Sequence, residues 1–234
     1  MAIQLPPAVS VDLEKPAIGL WRERARQVLY DSYAGIPLWK FPEDLRVYEH
    51  ILWARDVEVV LEVGTLYGGS ALWFRDRLRT LAAYGRIAQP KVISVDLHTS
   101  NAEALLAQAD PGYRDQITLL AGDVMDASFT QRVRRTVRPD ASCLVIDDSA
   151  HTYETTMACL RGFSDLIQPK GFFVVEDGCV DIEEMRIDPN WPRGVLAAIR
   201  DWLGTDQGGR FRQRRDMELY GISCHPGGFL ERSA

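Results

Sequence analysis

The sequence is missing several features that would place it in a large functional class. No run approaches the ~18 consecutive apolar residues of a membrane-spanning helix, and the N-terminus carries acids early instead of a basic-then-apolar export pattern. Basic residues are outnumbered: 27 Lys and Arg against 33 Asp and Glu leave a net charge of −6. That balance argues against a phosphate-dominated nucleic-acid surface. The four cysteines, Cys143, Cys159, Cys179 and Cys224, are scattered without a Cys-x-x-Cys pair. Neither a disulfide framework nor a zinc site follows from that usage. Internal repeats and low-complexity segments are missing too. These absences lead us to expect a soluble protein in a reducing, cytoplasmic setting, with no nucleic-acid or membrane partner.

What the chain does have is alternation. Short β-branched runs at VEVVLEV (57–63), KVISVD (91–96), ITLLAGD (117–123), ASCLVID (141–147) and GFFVVED (171–177) are separated by helical patterns at 70–83, 102–109, 128–137 and 153–167. Continuous rather than alternating apolarity marks strands buried on both faces, as in parallel sheets. Strand and helix in turn imply a doubly wound α/β fold of Rossmann-like type. After a helix near 192–203, two further strands are expected at 211–215 and 217–224, forming an antiparallel edge hairpin and completing a mostly parallel seven-stranded sheet. Arg210, Arg212, Arg214 and Arg215 alternate along that segment and read as a solvated face or an anionic-substrate rim. Two helices, 17–32 and 42–56, precede the first strand, joined by the loop YAGIPLWKFP (33–42). Residues 1–56 are therefore expected to form a helical extension with an active-site loop, ahead of a catalytic domain at 57–234. The extension is expected to cover the C-terminal edge of the sheet or to pair subunits of a homo-oligomer.

In such sheets ligands bind beyond the carboxyl ends of the strands. The first strand ends in EVGTLYGGSALWF: Glu62 and Gly64 close it, Thr65, Tyr67, Gly68 and Gly69 turn it, and Ser70 opens a helix. Leu66 stands near where the middle glycine of G-x-G-x-x-G would be, and that backbone is needed for a pyrophosphate. An acidic strand end with a glycine turn suits S-adenosylmethionine, which carries a sulfonium and an ammonium. Asp96, ending the second strand, is placed to accept from ribose hydroxyls. Asp123 is placed to bond the adenine amino group, with Val124 packing on the ring.

The run LVIDDSAHTYETT (144–156) is apolar up to Ile146, then presents Asp147, Asp148 and His151. GFFVVEDG adds Glu176 and Asp177 at the next strand end. Clustered carboxylates raise one another's pKa unless a cation or proton intervenes, and histidine is suited to proton transfer near neutral pH.

EVGTLYGGSAL resembles the first motif of class I methyltransferases, in the form found in metal-dependent catechol-type O-methyltransferases. With GIPLWKFPEDLRVYEHIL, VIDDSAHTYETT, GFFVVEDG and the tail from WPRGVLAAIRDWL to HPGGFLERS, the chain after Gly35 resembles the cephalosporin-hydroxylase-type family. That family includes macrolide-sugar and rhamnosyl O-methyltransferases. The resemblance implies a Mg2+ ion held by Asp148, Glu176 and Asp177, and His151 as the base that takes the acceptor's proton. Asp147 is an additional acid, orienting or capping on the cofactor side; a one-residue shift of register would give it the metal instead. Trp39, Tyr153 and Trp191 are candidates for substrate walls. The function expected is S-adenosylmethionine- and Mg2+-dependent O-methylation of a hydroxyl on a small natural product, a sugar in particular. The alternatives are a metal-dependent hydroxylase, which would need a second histidine near the acids, and a non-catalytic partner subunit of the same fold.

Overall fold

A computed structural model describes residues 17–219 and 223–234. In chain order its main elements are α1 (Ala17–Val28), β1 (Ser32–Tyr33), β2 (Ile36–Pro37), α2 (Pro42–Arg55), β3 (Val59–Val63), α3 (Gly69–Ala83), β4 (Lys91–Asp96) and α4 (Ser100–Ala109). There follow β5 (Ile117–Ala121), α5 (Ala127–Arg134), β6 (Cys143–Asp147), α6 (Tyr153–Phe163), β7 (Phe172–Val175), α7 (Val195–Leu203), β8 (Phe211–Gln213) and β9 (Phe229–Arg232). Seven strands form one sheet in the order β5-β4-β3-β6-β7-β9-β8, and β1 and β2 make a separate small hairpin. The strands from β5 to β7 are mutually parallel, whereas β9 runs antiparallel to both β7 and β8. The order reverses between β3 and β6, so the crevice expected of a doubly wound sheet lies there.

Apolar strands produce this sheet because both of its faces are buried. On one face Val59, Leu61, Val63, Ile93, Val95, Val145, Phe173 and Val175 pack with α5, α6 and α7 through Phe129, Leu160, Phe163 and Trp202. On the other, Val60, Val92, Leu144, Ile146, Phe172 and Val174 pack with α2, α3 and α4 through Tyr48, Ile51, Phe74, Leu78 and Leu106. Successive strand residues alternate between these layers, as a two-residue side-chain period requires. Each parallel neighbour presents matching residues to the same face.

Three expectations about elements need correction. The helix expected at 153–167 ends at Phe163 and continues as a tighter turn over Ser164–Leu166. The helix expected from 192 begins at Val195, where the Asp181 carboxylate accepts from the Gly194 and Leu196 N–H groups at 2.7 and 2.6 Å. The edge hairpin is antiparallel, but β8 pairs with Phe229–Arg232 rather than with 217–224. In that stretch Arg215–Met217 is a 3-10 turn, and residues 220–222 lie outside the described set. Ser223 Oγ and Cys224 N–H then donate to the Asp44 carboxylate at 2.7 and 3.1 Å. Those two bonds tie the segment to α2 before the chain turns into the last strand.

The arginine cluster is explained by β9. Glu231 is 3% exposed and accepts from Arg212 (2.6 Å), Arg214 (2.6 Å) and Arg55 (3.0 Å). An acid in that position must be paired, so Arg212 and Arg214 hold the sheet edge, while Arg210 faces Asp165 at 3.8 Å and Arg215 faces Glu218 at 3.1 Å. No helix among the described residues is long and apolar enough to cross a membrane.

Candidate active site

The carboxyl ends of β3, β4, β6 and β7 meet at the switch point in close backbone contact. Asp148 N–H donates to Val63 O, Glu176 N–H to Asp147 O and Gly64 N–H to Val95 O, at 2.7 to 2.8 Å. Gly64, at φ +108°, could not be another residue: a Cβ there would lie 1.9 Å from the Asp148 carbonyl oxygen. The turn that follows is held by Asp96, whose Oδ2 accepts the Thr65 and Leu66 N–H groups at 2.9 and 2.8 Å. Thr65 also bonds Ser94 through its hydroxyl, at 2.7 Å. Leu66 takes the left-handed conformation, φ +46°, that the missing glycine would have supplied. Gly68, at φ +85°, is the N-cap of α3.

The acids are sorted by strand parity. Glu62 and Glu176, each two residues beyond a strand position on the α2 side, face that layer, and Asp148 joins them from the end of β6. Into this group the loop after β2 inserts Lys40, which is 4% exposed. Its Nζ lies 2.6 Å from Glu176, 2.9 Å from Asp148 and 4.0 Å from Glu62. Tyr48, on α2, donates its hydroxyl to Glu176 as well. Burial pulls the Lys40 ammonium toward neutrality, but attraction from Asp148, Glu176 and Glu62 overrides it and holds the group well above the usual lysine range. The same contacts, with His225, outweigh the burial of Glu176 and hold its carboxyl low. Asp148 is pushed well up, by burial first and then by the charge of Glu176.

This changes the expected metal set. Ligand atoms of Asp148, His151 and Asp177 lie within 4.8 Å of one another, while Glu176 groups with Asp177 and His225 instead. Glu176 is engaged by Lys40 and Tyr48. Glu62 is also corrected: it is fully buried, accepts from Ser94 Oγ at 2.8 Å, and does not line the cavity, so it offers no open contact to a cationic ligand. The donor chemistry of Asp148 and Asp177 fits a hard divalent ion, two carboxylates with room for waters. Burial and the neighbouring Glu176 charge, which push the Asp148 carboxyl up, are conditions that a bound cation would relieve.

His151 and Asp177 both stand in the left-handed region, at φ +55° and +54°, where non-glycine residues cost about 1–3 kcal/mol each and cluster at functional sites. What secures them is visible. Thr152, immediately after His151, closes a capping box with Thr155 at the start of α6. The Asp177 N–H donates to His225 Nδ1 at 3.1 Å. The His151 Nε2 then lies 3.4 Å from Asp177 Oδ2 and 3.8 Å from Asp148 Oδ1. His225 is a second histidine beside the acids, contrary to the sequence reading of one. Its Nδ1 is taken by Asp177, and its buried Nε2 faces Asp44 and Glu176 at 3.7 and 3.9 Å. No group of potential metal ligands among the described residues contains two histidines, as the two-histidine, one-carboxylate iron site of a hydroxylase requires.

These groups open into a cavity of about 660 Å³, within the roughly 300–1,000 Å³ usual for ligand sites. Gly64, Leu66, Asp96, Asp123 and Val124 line one end; Asp148, His151 and Asp177 line its floor. Trp39 and Trp191 are on its wall as expected, Trp39 edge-on to Tyr67 with ring centroids 5.5 Å apart. Tyr153 is not: its hydroxyl turns to Asp201 on α7 at 3.3 Å. The roof is α1, clipped on by Trp21, which donates to Met185 O at 3.0 Å and stacks on Phe41 at 4.9 Å. Buried Arg186 organises the facing loop by donating to the carbonyls of Val180, Pro189 and Trp191.

Asp147 stands apart from this chemistry. It shares the strand face of Cys143 and Val145, is 2% exposed, and its Oδ2 has no hydrogen-bond partner. Burial is the main force raising its carboxyl pKa. A group raised in the folded state favours folding when protonated and penalises it once ionised. Asp147→Asn is therefore expected to be neutral or stabilising at pH 7, an advantage that disappears as pH falls below the ordinary carboxylate range of about 3.9. Thermal unfolding at both pH values checks this; a large loss of Tm at pH 7 would contradict it.

Sequence reasoning missed Lys40 and Tyr48. The one available signal was Lys40 itself, a lone cation in the apolar stretch IPLWKFP.

Comparison with known proteins places this geometry among relatives. A profile of the family described as Rhamnosyl O-methyltransferase/CmcI matches residues 26–233. The Rhamnosyl O-methyltransferase of Mycobacterium bovis is 27% identical over 206 residues, covering 86% of this chain and 78% of that one. A CmcI structure with Mg and SAM is 24% identical, with a TM-score of 0.61, over 98% of this chain and 90% of that one. The MycE methyltransferase from the mycinamycin biosynthetic pathway, in complex with Mg, SAH and mycinamycin VI, is 20% identical. Its TM-score is 0.53, over 94% of this chain and 55% of that one.

Proposed function

The chain belongs to the Rhamnosyl O-methyltransferase/CmcI family, and on that premise we propose that it transfers the methyl group of S-adenosylmethionine to a sugar hydroxyl of a small natural product, with Mg2+ at Asp148 and Asp177. The single observation that carries the reading is the convergence of Asp148, His151 and Asp177 on the floor of a cavity whose other end is the glycine turn. S-adenosylmethionine would lie against Gly64, Leu66, Asp96, Asp123 and Val124, with the acceptor between Trp39 and Trp191. Bound to the two carboxylates, Mg2+ supplies Lewis acidity that makes a hydroxyl easier to deprotonate. His151 Nε2 accepts that proton as the oxygen bonds to the methyl carbon and the carbon–sulfur bond breaks, leaving a methyl ether and S-adenosylhomocysteine. The hydrophobic walls exclude water that would otherwise solvate the acceptor.

Calorimetric titration should show S-adenosylmethionine binding with little or no NAD binding; the reverse would end the reading. His151→Ala is expected to lower methyl transfer to a rhamnosyl glycoside by about 10²–10⁴-fold, the usual contribution of a general base. The pH–rate profile of the variant should also differ from that of the wild type. An unaltered pH–rate profile would remove His151 as the base.

A further inference from the structure

Cys179 and Cys224 lie far apart in the sequence, and tertiary structure brings them together against Asp177. The ligand atoms of these three residues lie within 4.8 Å of one another. The two backbones run side by side, with Cys179 N–H donating to Cys224 O at 3.1 Å. Both segments are firmly seated. Gly178 has no room for a side chain, since a Cβ would lie 2.9 Å from Pro226 O, and the Cys224 N–H is held by Asp44. Asp177, Cys179 and Cys224 all line the cavity, so an ion and a water have a route to them. The methyl-transfer reading uses neither thiol.

We propose that Cys179 Sγ, Cys224 Sγ and a carboxylate oxygen of Asp177 form a site for a soft divalent ion of the zinc and cadmium class, with its fourth position open to the cavity. Two sulfurs and one carboxylate, with a water completing a tetrahedron, are a donor set that zinc accepts and magnesium does not. Zn–S bonds of about 2.3 Å set donors somewhat under 4 Å apart, so the site closes with about an ångström of contraction. Binding releases one proton from each thiol to solvent and forms two metal–sulfur bonds; no oxidant is involved. Asp177 serves both this site and the one shared with Asp148 and His151. A soft ion therefore draws Asp177 from the hard-metal site and opposes magnesium. The soft site goes beyond the methyltransferase reading, and only the sharing of Asp177 rests on it.

The test uses the full chain, freed of metal by chelation, kept reduced with a phosphine and titrated with Cd2+. The ultraviolet thiolate-to-cadmium band is expected to rise and saturate at one equivalent. Cys179→Ser and Cys224→Ser should each abolish that saturating band, while Cys143→Ser, which alters a thiol buried in the core, should keep it. Near-ultraviolet circular dichroism verifies that each variant is folded. Asp177→Asn should retain the band but weaken cadmium binding about tenfold or more. No band in the wild type, or an intact band in folded Cys224→Ser, overturns the site; unchanged affinity in Asp177→Asn overturns the sharing. A cadmium band in a protein that fails to bind S-adenosylmethionine would leave the site standing and remove the methyltransferase reading alone.

Discussion

Asp148→Asn is expected to lower methyl transfer by about 10³-fold or more while S-adenosylmethionine affinity changes only a few-fold. One of the two carboxylates open to a divalent ion disappears, and with it several kcal/mol of charge stabilisation, each 1.36 kcal/mol being worth about tenfold in rate. Cofactor affinity is spared because the glycine turn depends on Gly64 and Asp96. The Asp148 backbone, which donates to Val63 O at 2.8 Å, is unchanged by the substitution. The wild-type rate should rise and saturate with Mg2+, and the variant's should stay flat across the same range. Initial-rate titrations together with calorimetry separate the two effects. A variant within tenfold of wild type would show that Asp148 does not carry the reaction. Asp147→Asn is the matched control, one residue away with its side chain in the core.

The largest effect on stability should come from Lys40→Met. Removing one partner of a buried ion pair typically costs about 3–5 kcal/mol, because an uncompensated charge stays behind. Here Lys40 is the only lysine or arginine within ion-pair distance of Glu62, Asp148 and Glu176 among the described residues. The sign of the pH dependence follows from the direction of each shift. Lys40, raised when folded, contributes fully below the ordinary lysine range of about 10.4 and loses its contribution only as pH rises through its still higher folded value. Glu176, lowered when folded, contributes above the ordinary carboxylate range and loses this as pH falls through its folded value. Without Lys40 the main cause lowering Glu176 is gone, and its carboxyl takes up a proton at higher pH than before. The deficit of Lys40→Met should thus be largest near pH 7 and shrink toward pH 4. Urea unfolding in the presence of a chelator measures it, and adding Glu176→Gln should recover part of the loss. Equal stability of wild type and Lys40→Met at pH 7 would refute the role given to this lysine.

Lys40 also marks the boundary between what could be read in advance and what could not. Apolar runs too continuous for a one-sided sheet determined a parallel sheet with helices on both faces, since no other arrangement buries both sides of VVLEV or CLVID. Acids placed just past those runs determined that the chemistry would gather at the carboxyl ends of the strands, where side chains leave the sheet. The glycine turn followed from the same logic, down to Gly64, whose missing Cβ leaves room for the Asp148 carbonyl.

Which acid does what was decided by tertiary structure. Parity along β6 puts Asp147 on the α6 side, under Cys159, and releases Asp148 at the strand end. That alternation is present in the sequence, but which face would be covered by what is not. Glu176 looked equivalent to Asp177 in VVEDG, yet the left-handed turn at Asp177 gives them different partners, Lys40 and Tyr48 for the first and His151 for the second. The partners on each face come from segments distant in the chain: Lys40 from a loop before the first core strand, His225 and Cys224 from the segment before the last. Local sequence carries propensity and period; it does not carry the long-range contacts through which a buried charge finds its counter-ion. The sheet and the location of its site were determined by sequence alone, and the division of labour among Asp147, Asp148, Glu176 and Asp177 by the packing that supplies each with its partner.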